Sequence, residues 1–121
     1  MNVTEHVVTD SDTAQAVGSG DLPVLATPRL AQWFEMAAFA AAAQEVDPGH
    51  TTVGTLLSVE HVRPTALGDS VFIHCAKPVR DGRRIIFAIR AEDADGLEIA
   101  TGKVHRAVVD PERFMARFVT S

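Results

Sequence analysis

The sequence predicts an α+β domain in which a curved antiparallel sheet wraps one long central helix. The first sign is the run from Leu30 to Gln44. It reads Leu30-Ala31-Gln32-Trp33-Phe34-Glu35-Met36-Ala37-Ala38-Phe39, then four alanines and Gln44. At about 100° per residue its apolar side chains cover nearly the whole circumference, as in a helix built for burial. The second sign is the stretch after Pro48, which changes to alternating, strand-like patterns joined by Asp81-Gly82 and Asp95-Gly96, both strong hairpin dipeptides. The third is size: 121 residues are enough for one core and too few for two.

Each element follows in order. A strand is expected from Val3 to Val8, and Val17-Gly18-Ser19-Gly20-Asp21 reads as a loop by composition. Thr27-Pro28 marks the helix start, with a hydroxyl N-cap and a proline at the first helical position. The helix stops near Glu45, because Asp47-Pro48-Gly49 cannot continue it. From Val53 to Arg63 strict alternation places Val53, Thr55, Leu57, Val59 and His61 on one face and Gly54, Ser58 and Glu60 on the other. Leu67-Gly68-Asp69 turns the chain. Strands follow over Val71–Pro78, Arg84–Glu92 and Leu97–Val109, and Pro111 to Phe118 is a helical turn or an irregular tail. A single helix that is apolar all round needs a sheet that wraps it, which describes the hot-dog fold over residues 1–121. Protomers of that shape pair to cover their remaining apolar surface and build sites at the interface, so a homodimer is expected.

Composition narrows the function. Charged residues make up 22% and hydrophobic residues 46%, an ordinary globular balance. No 18-residue apolar stretch or secretory leader is visible, so neither a membrane nor export is expected. A single cysteine, Cys75, gives no disulfide, and the cytoplasm is the expected compartment. The net charge of −5 argues against nucleic acid as a partner. His50, His74 and His105 have no metal-ligand spacing, so no metal is expected.

Four residues are candidates for chemistry. Glu35 is the only charged residue between Arg29 and Glu45. A carboxylate in such a helix is costly unless paired, and the bland alternative is a Glu reaching solvent on the arc it shares with Gln32. Thr27 places a hydroxyl beside the helix N-terminus, or is simply a cap. His61 titrates near neutrality, or is a packed core histidine. Gly54 allows close backbone approach to a substrate, or marks a bulge. Thr27 and Glu35 are eight residues apart, and His61 follows Glu35 by 26.

With those intervals the chain resembles fluoroacetyl-CoA thioesterase and its relatives, hot-dog enzymes that hydrolyse acyl-CoA thioesters. The resemblance rests on Pro23-Val24-Leu25-Ala26-Thr27 through Glu35, on Val53-Gly54-Thr55 and on Val59-Glu60-His61. It continues through Gly102 and Arg106-Ala107-Val108 to Phe114. It implies that Thr27, Glu35 and His61 are catalytic and that Gly54 contacts substrate. It implies an acyl-CoA or related acyl thioester as substrate and no cofactor beyond the coenzyme A that the substrate carries. One departure stands out: the segment Gly18-Ser19-Gly20-Asp21-Leu22-Pro23 lacks the aromatic lid residues of the fluoroacetyl-specific enzyme, so strong fluoroacetyl selectivity is not expected. From other classes, the alternatives are a non-catalytic hot-dog module that binds an acyl thioester or metabolite, and a hydratase on the same fold.

Overall fold

The computed structural model describes residues 2–119. Strand β1 (Asn2–Val7) leads through a 3-10 turn (Asp10–Asp12) and a one-turn helix α1 (Ala14–Val17) to the long helix α2 (Thr27–Ala42). Strands β2 (Thr51–His61), β3 (Ser70–Cys75), β4 (Val79–Asp81), β5 (Arg84–Glu92) and β6 (Glu98–Val109) follow, and helix α3 (Pro111–Ala116) ends the chain. The sheet is antiparallel throughout, in the order β1-β3-β5-β6-β2, with β4 paired to β5 alongside. The helix lies against it, with Leu30, Phe34, Ala38 and Ala42 fully buried among Val71, Ile73, Ile85, Phe87, Ile99 and Val104.

The turns obey their dipeptides. Gly82 and Gly96 both have positive φ, 61° and 81°, a conformation that glycine adopts without a Cβ penalty. Cys75 is buried in the core as a small apolar side chain, and burial pushes its thiol pKa up. Among the described residues no helix is long and apolar enough to cross a membrane.

Four expectations need correction. The segment from Val17 is not all loop, because Val17 closes α1 and Gly18 caps it in the left-handed region at φ 86°. Thr27 is not the N-cap of α2: Ala26 occupies that position, Thr27 begins the helix, and no side chain caps the end. The helix is not covered all round, because Met36 and Phe39 are about half exposed and share an open stripe with Gln32 and Ala43. Alternation in β2 is also not strict. A register shift between Gly54 and Leu56 is a bulge, which inserts one residue and flips the phase. Gly54, opposite Arg106, therefore shares the inner face with Leu57, Val59 and His61, whereas Val53 falls out of step with them.

Candidate active site

Backbone bonds fix the entry to α2. The Leu25 N–H donates to the Thr65 carbonyl and the Ala26 N–H to the Asp12 carbonyl. Arg29, in the first turn of the helix, pairs with Asp12 at 3.1 Å. Thr65 lies four residues past His61, the last residue of β2, so the start of the helix sits near His61. The result is a side-chain bond: Thr27 Oγ1 lies 2.8 Å from His61 Nδ1. The hydroxyl donates this bond when Nδ1 is unprotonated. Burial pushes the His61 pKa down from its ordinary value, opposed by the Arg63 backbone. Among the described residues Nε2 is buried without a hydrogen-bond partner. A histidine held neutral with Nδ1 facing a hydroxyl is arranged to accept its proton. Thr27 and His61 line a cavity of about 310 Å³ with Ser19, Leu25, Val62 and Arg63.

Glu35 belongs to a different cluster. Its Oε2 lies 3.6 Å from Arg106 Nη1. A Cβ built on Gly54 would stand only 2.8 Å from the same oxygen. The gap left by the glycine is thus filled by the Glu35 carboxylate. Arg106 is itself 93% buried on the inner face of β6. It donates from Nε to Thr52 Oγ1 at 2.7 Å and from Nη2 to the Thr52 carbonyl at 2.9 Å. Its guanidinium lies 5.3 Å from the centre of the Phe39 ring, within cation–π range. Burial pulls the Arg106 pKa down and the Glu35 charge pushes it back up. Phe39 and Thr52 also line a second cavity of about 310 Å³, which reaches Val46 and His50.

Sequence reading named Thr27, Glu35, His61 and Gly54. The structure joins them as two pairs, Thr27 with His61 and Glu35 with Gly54. Eight residues of helix separate Thr27 from Glu35 by about 12 Å along the axis. Their strand counterparts, His61 and Gly54, lie roughly 20 Å apart along β2. Arg106 and Thr52 were not singled out. A signal existed for Arg106: along β6 it interrupts the inward series Gly102, Val104 and Val108.

Known proteins show the same architecture. The sequence profile of the fluoroacetyl-CoA-specific thioesterase family matches residues 8–112. The fluoroacetyl-CoA thioesterase of Streptantibioticus cattleyicolor is 32% identical over 94 residues, which span 78% of this chain and 67% of that protein. A crystal structure of a single-substitution variant of a fluoroacetyl-CoA-specific thioesterase, in complex with fluoroacetate and CoA, superposes with a TM-score of 0.86. The two are 27% identical, over 98% of this chain and 96% of that one. A thioesterase-superfamily protein of Thermus thermophilus shares the fold at a TM-score of 0.88 and 22% identity, over 96% of this chain and 85% of its own. With a family match over most of its length and an antiparallel sheet packed on one long helix, the chain belongs to the fluoroacetyl-CoA-specific thioesterase family and is a hot-dog thioester hydrolase.

Proposed function

We propose that the protein hydrolyses an acyl-CoA thioester at a composite site, in which Thr27 and His61 of one protomer work with Glu35 of its partner. The observation that carries this reading is the 2.8 Å bond between Thr27 Oγ1 and His61 Nδ1, taken with the helical rise that keeps Glu35 about 12 Å away. That backbone spacing favours a site completed by a second copy of the chain.

A two-fold pair supplies that second copy. Among the described residues strand β2 is bonded to β6 on one side only, and its other edge is open. It is eleven residues long and exposes Leu56 and Leu57. An open apolar edge of this length favours pairing with another strand. If two β2 strands meet antiparallel, the His61 end of one comes to the Gly54 end of the other. Thr27 and His61 then face the partner's Glu35, and the open stripe of Met36 and Phe39 is covered.

In that arrangement His61 Nδ1 takes the proton of the Thr27 hydroxyl, or of a water held by it, as the thioester carbonyl is attacked. The protonated ring then supplies a proton to the departing thiolate, and where Thr27 itself attacked, a water deprotonated by the same ring cleaves the Thr27 ester to release the carboxylate and restore the hydroxyl. The partner's Glu35, which carries the negative charge, holds the attacking hydroxyl or water by a hydrogen bond. No cofactor is required, since coenzyme A arrives as part of the substrate. Ser19, in the segment before Thr27, lines the cavity where an aromatic lid would need an apolar side chain, so a small fluorinated acyl group has no special cover here.

Complementation is the decisive experiment. A homodimer of H61A and a homodimer of E35Q should each be nearly inactive. Mixed dimers of the two variants regain one intact site, because both lesions fall in the other site. Thioester hydrolysis should therefore reappear on co-expression. Mixed dimers that form and stay inactive would refute the composite site.

A further inference from the structure

We propose that Arg106 is a positioning residue for the reaction: it aims the Glu35 carboxylate into the site. The proposal rests on the reading of Glu35 as part of the catalytic site.

Arg106 is a charged side chain on a strand face otherwise occupied by Gly102, Val104 and Val108. Its burial is nearly complete, and taking a guanidinium out of water is costly unless its donors are used. Two of its three nitrogens are committed to Thr52, one to the hydroxyl and one to the carbonyl. Phe39 covers its face. These contacts fix the plane of the guanidinium without any help from Glu35. Nη1 is left to face Oε2 of the carboxylate at 3.6 Å. The cation is therefore preset, and the carboxylate is the exposed member, with 44% of its side chain exposed.

Three elements converge on that carboxylate. Helix α2 carries it, β6 supplies the positive charge, and β2 supplies the space, because Gly54 has no Cβ to meet Oε2. Thr52 and Gly54 from β2 and Phe39 from α2 bring no charge of their own. Among the described residues, Arg106 is the only ion-pair partner of Glu35. A buried arginine stays protonated, so the carboxylate meets a permanent positive charge on one side while its side chain stays partly exposed. A carboxylate in that setting is aimed to accept a hydrogen bond from the attacking group.

The test uses R106Q, R106K and T52V in the full-length protein, with circular dichroism and melting to establish folding. R106Q should lower kcat by about 10- to 100-fold, the scale of a misaimed catalytic group, with KM little changed. R106K keeps a charge but not the fork and should recover part of the rate. In an E35Q background R106Q should cost little more, since the two act through one group. Folded R106Q with wild-type kcat would overturn the proposal, as would a full additional loss in the E35Q background. Should R106Q not fold, wild-type kinetics in both R106K and T52V would overturn it. If E35Q alone is fully active, the catalytic reading of Glu35 fails first. If E35Q is impaired and R106Q is not, only the role of Arg106 falls.

Discussion

Thr27 directs its hydroxyl to His61 and not to the helix end. This separates chemistry from stability at that position. T27A should lose most activity with a melting temperature close to wild type, because no capping bond is lost, and T27S should retain more activity than T27A. H61A should reduce turnover by roughly 10²–10⁴-fold, the range of a general acid or base; steady-state kinetics with calorimetry checks all three. Glu35 is half exposed and pairs with a buried cation, so it is not the costly buried carboxylate that its apolar surroundings suggest. E35Q leaves Arg106 without its counter-charge and should destabilise slightly, by under about 1 kcal/mol given solvent screening, in a urea titration. The histidines set the pH dependence. Burial lowers the pKa of both His61 and His6, so the unfolded chain binds more protons between those lowered values and the ordinary one near 6.5. Stability is therefore complete above about pH 6.5 and falls as pH drops through that window. The H6F variant, which keeps the stack on Trp33, should have a shallower acid slope in its melting temperature.

At the scale of elements, the bulge in β2 decides the geometry. One inserted residue turns Gly54 inward to face Glu35 and Arg106 while His61, further along the strand, keeps its place beside Thr27. Two glycines on the inner faces of neighbouring strands should then respond differently to alanine. At Gly54 the new methyl meets the end of a flexible side chain, Glu35 Oε2; the carboxylate is displaced, so G54A should lose activity while remaining folded. At Gly102 the methyl would overlap the Ser58 carbonyl and press on Phe34. Backbone cannot yield as a side chain does, so G102A should lose about 1–3 kcal/mol of stability. Denaturation and kinetics measured on both variants separate the two effects.

For the whole molecule, the open edge of β2 and the uncovered stripe of α2 point the same way. Met36 and Phe39 are 50% and 51% exposed beside Glu35, which is a poor arrangement for a lone chain in water. Light scattering should give a dimer at working concentration, and a fully active monomer would rule out the shared site. The open cavity at Thr27 and His61 predicts selectivity as well. With Ser19 lining it and no phenylalanine from Gly18 to Pro23, kcat/KM for fluoroacetyl-CoA and acetyl-CoA should be similar. A strong preference for the fluorinated substrate would mean that the partner subunit supplies the cover.

What could be read from the chain alone was whatever a few consecutive residues encode. Glycine at positive φ in Asp81-Gly82 and Asp95-Gly96, proline near the helix start and the continuous apolar run from Leu30 were enough to predict a sheet around one helix. The eight-residue interval also implied the separation of Thr27 from Glu35, since helical rise is fixed. Tertiary packing decided the rest. The bulge at Gly54 depends on how β2 pairs with β6, and alternation in one strand carries no record of its partner's register. The bond from Thr27 to His61 links positions 34 residues apart. Arg106 and Thr52 are 54 apart. Their meeting at Glu35 requires three elements to close on one point, which is a property of the assembled core and of no single segment.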